Sequence, residues 1–176
     1  MKRLGLLRHA KSDWDDLALR DFDRGLNARG RKGAALMGRH IRERGDAWGL
    51  IIASPAERVK LTLEASGLES AVEWDQRVYL ADAATLLALV QALPDDAERV
   101  LLVGHNPGLQ ELLLALVAPA LEDELFDKAA EKFPTAAYAV LELAVERWAR
   151  CGPGRGRLVH FARPRDLDPA LGPESR

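Results

Sequence analysis

The 176-residue chain has one cysteine, no long apolar run and almost balanced charges. Cys151 has no partner for an internal disulfide, which favours a reducing compartment. The net charge of -2 gives no general attraction to nucleic acid or to membranes. No stretch is long enough to span a bilayer, and the first apolar run is too short for a signal peptide. We therefore expect a cytoplasmic protein that binds neither nucleic acid nor membrane.

The sequence also lacks His, Cys and carboxylate side chains grouped at the spacing of metal ligands, so it predicts no metal and no other cofactor. It contains no internal repeat, and its length fits a single domain with a sizeable core. We expect this domain to span residues 1–162. The proline-rich, polar residues 163–176 predict a loose C-terminal tail.

The most informative stretch is a short apolar run near the start of the chain that ends in Arg8 and His9. Such a run predicts a buried strand over residues 3–7. In open α/β sheets, ligands bind beyond the carboxyl ends of the strands, so these two polar side chains mark a candidate site. A long polar loop follows and extends to Asn27. Asn27 has the side chain of an N-cap, and we predict that it begins a helix that ends at Gly45.

A second predicted strand, over residues 49–53, also ends in polar side chains. The Ser-Pro-Ala-Glu run that begins at Ser54 has the pattern of a capping box with proline at the first helical position. It predicts a helix that starts at Ser54 and ends at about Gly67. Arg58 then lies one turn inside this helix, close to its positive end.

The clearest buried strand, residues 99–104, leads into His105 and Asn106, and Asn106 is suited to cap the helix that follows. The other predicted elements are a short strand over residues 72–74 and a helix after Asp82, over residues 83–93. A partly helical segment over residues 120–134 and an antiparallel edge hairpin over residues 136–161 follow. This alternation of strands and helices predicts a three-layer α/β/α sandwich with a mostly parallel sheet and an antiparallel edge.

In such a sheet the first, second and fourth strands end at one edge, so their polar side chains converge there: Arg8, His9, Arg58 and His105. Two guanidinium groups suit the oxygens of one phosphoryl group. One histidine can attack phosphorus and form a phosphohistidine intermediate, while the other donates a hydrogen bond to the oxygens. The sequence therefore predicts phosphoryl chemistry at this edge.

These motifs resemble those of the histidine phosphatase superfamily, whose fold is phosphoglycerate mutase-like. Residues 8–10, Arg-His-Ala, resemble its Arg-His-Gly signature, and residues 54–62 resemble its Ser-Pro-x-x-Arg-x-x-x-Thr element. Residues 104–107, Gly-His-Asn-Pro, and residues 23–30 are similar to motifs of the small branch named for the phosphohistidine phosphatase SixA. The resemblance covers residue 4 to about residue 161.

The resemblance implies a role for each matching residue. His9 would be the nucleophile that becomes phosphorylated, and three side chains would bind the phosphoryl oxygens: Arg8, Arg58 and His105. Asn106 is a further substrate-binding candidate. Mutases and many phosphomonoesterases of the family place a glutamate acid after the third strand, where this sequence has Asp82, which is thus the candidate general acid.

Asp82 matches the family's glutamate acid only weakly, and the strength of this acid affects which class of substrate we expect. An alkoxide that leaves a phosphate ester needs a proton donor, whereas imidazole, with a pKa of roughly 6.5, can leave phosphohistidine already protonated. We therefore expect a phosphatase that acts on phosphohistidine in a phosphorylated protein. Two alternatives stay open: a phosphomonoesterase of a small phosphorylated metabolite with Asp82 as the acid, and a non-catalytic module that binds a phosphorylated ligand.

Overall fold

Six strands form one sheet in the computed structural model, which describes residues 1–172. The strands are β1 (Lys2–Arg8), β2 (Leu50–Ala53), β3 (Val72–Trp74), β4 (Arg99–Gly104), β5 (Tyr138–Leu143) and β6 (Gly156–Ala162). Their order is β3-β2-β4-β1-β5-β6. Strands β1 to β4 are parallel, and β5 and β6 add an antiparallel edge. The predicted sheet and its edge hairpin are therefore confirmed.

Helices cover both faces of the sheet. Within residues 1–172 they are α1 (Ala28–Arg44), α2 (Glu57–Ser66), α3 (Ala83–Gln91), α4 (Gly108–Leu116), α5 (Glu124–Glu131) and α6 (Pro164–Leu167). Side chains alternate along the buried strands, so Leu4 and Leu6 of β1 pack with α3, α4 and α5. Leu7 packs on the opposite face with α1 and α2. These two apolar cores confirm the three-layer sandwich.

Local capping signals set the ends of α1. The Asn27 side chain accepts a hydrogen bond of 2.8 Å from the backbone N–H of Gly30, as an N-cap does. Gly45 ends the helix with a φ of 75°, a left-handed conformation that costs glycine little. Both predicted ends of α1 are confirmed.

The capping box predicted at Ser54 is wrong. The Ser54 backbone N–H still bonds to the Val103 oxygen of β4 at 3.1 Å, so Ser54 belongs to the edge of the sheet. Helix α2 starts three residues later, at Glu57, with Ala56 as its N-cap and no side-chain cap. The Ser54 hydroxyl accepts from the Ala56 N–H at 3.2 Å and is left facing the carboxyl edge of the sheet.

The chain after β6 folds back onto α1, which differs from the loose tail expected from residue 163 onward. Arg29 of α1 donates hydrogen bonds to the carbonyl oxygens of Ala170 and Gly172, at 3.0 and 2.7 Å. Lys32 of α1 also pairs with Asp168 at 3.2 Å. The proline and charged residues of this segment predict a loose tail. The long-range contacts that hold it to α1 produce no periodic pattern in the sequence, so the sequence does not indicate them. The last four residues of the predicted tail lie outside the described residues.

Candidate active site

The ends of β1, β2 and β4 meet at the carboxyl edge of the sheet. The backbone N–H of His9 bonds to the Gly104 oxygen at the end of β4, at 3.1 Å. The His9 oxygen accepts a 2.9 Å bond from the N–H of Ala136, just before β5. These backbone bonds bring Arg8, at the end of β1, and His9, just after it, next to His105, which follows β4. Arg58 of α2 reaches the same place, where its guanidinium contacts His105.

Two buried imidazoles face each other at this edge. The ring centroids of His9 and His105 are 5.3 Å apart, and the rings are tilted by 53°. Nδ1 of His9 lies 2.7 Å from the carbonyl oxygen of Ala10. Since a carbonyl oxygen can only accept, Nδ1 carries the proton and Nε2 of the neutral ring keeps its lone pair. His9 therefore presents an unprotonated ring nitrogen of defined orientation.

His105 is held between a serine and an arginine. Its Nδ1 lies 3.2 Å from Nη2 of Arg58, and because a guanidinium can only donate, Nδ1 accepts. Nε2 then carries the proton and donates to Oγ of Ser54 at 2.8 Å. A hydroxyl can donate as well as accept, so Ser54 can hold this ring in either tautomer. Sequence reasoning assigned Ser54 to a helix cap and missed this contact.

Arg58 points into the site and is only 4% exposed. Besides His105, its guanidinium contacts the loop that follows β1: Nη1 donates to the carbonyl oxygen of Asp21 at 2.7 Å, and Nη2 donates to the Asp21 carboxylate at 3.0 Å. Tyr79, which precedes α3, also donates its hydroxyl to that carboxylate, and its ring packs edge-on against His105.

Sequence reasoning did not single out Asp21 or Tyr79. Asp21 is one of five aspartates in a loop without periodicity, so no local signal distinguishes it. Partial burial alone would raise the pKa of Asp21, but hydrogen bonds from Tyr79 and Arg58 outweigh this and lower it. The ionised carboxylate therefore balances part of the positive charge of Arg58.

Arg8 supplies the second guanidinium of the site. Its Nη1 donates to the carbonyl oxygen of Phe133 at 3.0 Å, and its buried Nε has no hydrogen-bond partner among the described residues. Burial lowers the pKa of Arg8, and the nearby charge of Arg58 lowers it further. Two cations close enough to repel each other create a position where an anion is stabilised.

Asn106 and Asp82 have structural contacts of their own. The Asn106 amide donates to the Phe133 oxygen at 2.9 Å, and its oxygen accepts from the N–H of Gln110 in α4 at 3.2 Å. The exposed Asp82 carboxylate caps α3 by accepting from the N–H of Thr85 at 2.8 Å. That hydrogen bond lowers the pKa of Asp82, so at neutral pH the side chain is ionised and poorly suited to donate a proton.

The environment of the two histidines keeps them neutral. Burial lowers the pKa of His9 to about 4, and the charges of Arg58 and Arg8 contribute to the shift. Burial, the neighbouring His9 and Arg58 lower the pKa of His105 to about 3. Because both values lie well below 6.5, both rings are neutral at pH 7. A neutral imidazole keeps one ring nitrogen with an available lone pair, which the protonated form lacks.

We predict that both rings stay neutral on mild acidification. Between pH 7.5 and 5 the ¹H–¹⁵N NMR signals of His9 and His105 should keep the pattern of a neutral imidazole, since a lowered pKa moves protonation to more acidic pH. The same chain unfolded in urea is the control, and its four histidines should titrate near 6.5. A midpoint above pH 6 for either ring in the folded protein would contradict the prediction.

Residues 1–172 contain no group of three or more His, Cys, Asp or Glu side chains that could hold a metal ion. The helices of this same part of the chain are all too short or too polar to cross a membrane. The charge available to an anion at the edge comes from the two guanidiniums.

Comparison with known proteins identifies the class to which this fold and site belong. Residues 4–85 match the model of the histidine phosphatase superfamily (branch 1). An uncharacterized protein of Mycobacterium leprae is 34% identical over 164 residues, which cover 90% of this chain and 100% of the relative. The chain belongs to the histidine phosphatase superfamily and is a hydrolase of its phosphatase group.

Solved structures narrow the similarity to one branch. The candidate phosphohistidine phosphatase SixA from Nakamurella multipartita superimposes with a TM-score of 0.83 at 29% identity, covering 93% of this chain and 96% of that one. The candidate SixA from Agrobacterium tumefaciens gives 0.77 at 32% identity, covering 93% and 98%. The predicted resemblance to the SixA-like branch and the predicted fold class are confirmed.

Proposed function

We propose that this protein removes the phosphoryl group from protein phosphohistidine by way of a phosphohistidine intermediate on His9. The observation that carries the proposal is the pair of facing, buried and neutral imidazoles. The hydrogen bond from Nδ1 to the Ala10 oxygen leaves Nε2 of His9 free to attack, the His105 ring lies opposite, and the charges of Arg58 and Arg8 act on the same place.

The reaction proceeds in two displacements. Nε2 of His9 attacks phosphorus and forms a new P–N bond while the P–N bond of the substrate breaks, and the substrate imidazole leaves with a proton. Water then attacks the phosphoryl group on His9, the second P–N bond breaks, and inorganic phosphate is released. Arg8 and Arg58 stabilise the negative charge on the phosphoryl oxygens in both steps. His105 donates to the same oxygens in its other tautomer, in which Ser54 donates to Nε2 and Nδ1 carries the proton.

The state of the nearby carboxylates favours phosphohistidine over an ester. The pKa values of Asp82 and Asp21 are both lowered, so neither is a good proton donor to an alkoxide. An imidazole leaving group needs no such donor, because its own pKa of roughly 6.5 lets it depart protonated. The similarity to the two SixA structures supports the same substrate class.

The surface beside the site fits a macromolecular substrate. The loop that carries Asp21 exposes three large apolar side chains within six positions of the chain: Trp14, Leu17 and Leu19. Exposed apolar groups that are grouped on a surface are typical of protein interaction sites. A phosphorylated side chain on another protein could approach this open edge. We therefore expect the partner to be a phosphorylated protein.

A comparison of two substrates tests the proposed function. Two peptides of one sequence, carrying either phosphohistidine or phosphoserine, are assayed with the wild type and with Asp82→Asn. We expect kcat/KM to be at least about 100-fold higher for phosphohistidine, because only its leaving group departs without a general acid, whose contribution is 10²–10⁴-fold. Since Asp82 serves as a helix cap, the Asp82→Asn variant should change neither rate by more than about twofold.

Other outcomes would favour the alternatives. Preference for the ester, together with a roughly 100-fold loss of ester hydrolysis in Asp82→Asn, would indicate a metabolite phosphatase that uses this side chain as its acid. Saturable phosphate binding without hydrolysis of either peptide would indicate a non-catalytic binding module.

A further inference from the structure

A basic cleft of about 300 Å³ lies beside the candidate active site. Its walls come from four parts of the chain: the segment after β1, the first turns of α1, the segment before β5 and the folded-back residues after β6. Six cationic side chains line it: Arg8, Lys11, Arg29, Lys132, Arg163 and Arg165. No carboxylate of the described chain lines it, although acidic residues outnumber basic ones in the whole sequence.

Much of this positive charge lies next to neutral groups. The Arg8 guanidinium donates to the carbonyl oxygen of Phe133, which carries no net charge. The buried Nε of Arg165 has no hydrogen-bond partner within residues 1–172, and Lys132 is exposed. Arg163 forms an ion pair with the Asp166 carboxylate at 2.8 Å. Arg8, Lys132 and Arg165 thus leave the cleft with a net positive charge.

The cleft borders the candidate active site, because the Arg8 side chain belongs to both and Ala10, next to His9 in the chain, also lines the cleft. A substrate whose phosphoryl group lies at His9 can therefore place its neighbouring residues beside the cleft. Successive residues of an extended peptide are about 3.3–3.6 Å apart, so side chains a few positions from the phosphohistidine can enter it.

We propose that this cleft binds carboxylate side chains that flank the phosphohistidine of the protein substrate, so that the enzyme selects acidic segments. This role rests on the proposed function, and it adds a recognition site that shares only Arg8 with the groups that contact the phosphoryl oxygens. The cationic walls would attract carboxylates before the phosphoryl group is seated, which raises the rate of productive encounter and lowers KM.

Paired peptides test this selectivity. Two phosphohistidine peptides of equal length carry either Asp and Glu or Asn and Gln at the flanking positions. The wild type should hydrolyse the acidic peptide with a kcat/KM about tenfold higher, mainly through KM, which corresponds to about 1.4 kcal/mol. The double variant Lys132→Gln/Arg165→Gln should bring the two peptides to within about twofold of each other, because it removes two of the cations that attract the flanking carboxylates.

A matched double variant controls for net charge. Arg155→Gln/Arg157→Gln removes the same amount of charge. Arg155 lies in the turn before β6 and Arg157 near the start of β6, at the end of the sheet opposite the cleft, so this variant should keep the full preference for the acidic peptide. An unchanged kcat on the neutral peptide would show that the Lys132→Gln/Arg165→Gln variant is folded. The single variant Lys132→Gln, at an exposed position, should lose part of the preference in any case.

The result separates this inference from the proposed function. Equal kcat/KM for the two peptides in the wild type, or a preference that survives in Lys132→Gln/Arg165→Gln, would overturn the cleft's role. If neither peptide is hydrolysed, the proposed function fails, and the cleft is then judged by binding of the unphosphorylated acidic peptide. That binding should be lost in the Lys132→Gln/Arg165→Gln variant. Tight binding of pyrophosphate without discrimination between the peptides would assign the cleft to a small polyanion instead.

Discussion

The variant His9→Ala should hydrolyse phosphohistidine peptides at least about 10⁴-fold more slowly than the wild type, because loss of a nucleophile removes the covalent route altogether. Rapid-quench experiments with ³²P-labelled substrate provide the measurement. In the wild type, acid-labile label should appear on His9 within the first turnover and decay as phosphate is released. In His9→Ala, no protein-bound label should appear.

Another histidine pair in the same protein supplies the control. Nε2 of His40 lies 2.9 Å from Nε2 of His160, and this pair links α1 to β6 away from the carboxyl edge of β1. The variant His40→Ala should therefore keep wild-type turnover and labelling. Activity of His9→Ala above about 1% of the wild type, or acid-labile label on another residue of the wild type, would contradict the role of His9.

The sheet could be predicted because its pattern is local. The side chains of β4 point alternately into the two apolar cores, because helices cover both faces of the sheet. The sequence of β4 is therefore a continuous apolar run, which predicts a buried strand. Asn27 and Gly45 mark the ends of α1 by their own backbone preferences. Because parallel strands end at a common edge, the convergence of the arginine and histidine side chains also followed from the strand assignment.

The parts of the site that depend on tertiary contact could not be predicted. Ser54 has the local pattern of a helix cap, and only the approach of His105 from β4 shows that the two side chains meet. Asp21 and Tyr79 meet at Arg58 although 58 residues separate them in the chain. For Asp82, in contrast to Ser54, the local sequence pattern of an N-cap agrees with the contact in the structure.

The same limit applies to the C-terminal segment. Its proline and charged residues predict a tail, whereas the hydrogen bonds from Arg29 attach it to α1 across 141 and 143 positions of the chain. These contacts also build one wall of the basic cleft. A recognition surface of this kind arises from segments that are distant in sequence, so it becomes visible only once the fold is known.

Replacement of Arg58 should have the second-largest effect. Arg58→Lys retains the charge but loses the planar fork that contacts His105 and the Asp21 loop, and a lysine cannot reproduce that geometry. We expect kcat/KM for a phosphohistidine peptide to fall by about 10²–10³-fold, the range found when one donor to a developing oxyanion is removed. Inhibition by orthovanadate, a phosphoryl mimic, should weaken in parallel.

A neighbouring basic residue on α2 provides the matched control for Arg58. Lys60 is exposed, and its ammonium lies 5.9 Å from the ring of Trp74 rather than in the site. Lys60→Gln should therefore keep wild-type turnover and vanadate inhibition, because the charge it removes is screened by solvent. Thermal unfolding of Arg58→Lys would separate a damaged fold from a damaged site. If Arg58→Lys remains folded and retains kcat/KM to within about fivefold, the guanidinium fork does not bind the phosphoryl oxygens, since such a loss is far below the 10²–10³-fold expected of a donor to the reacting group.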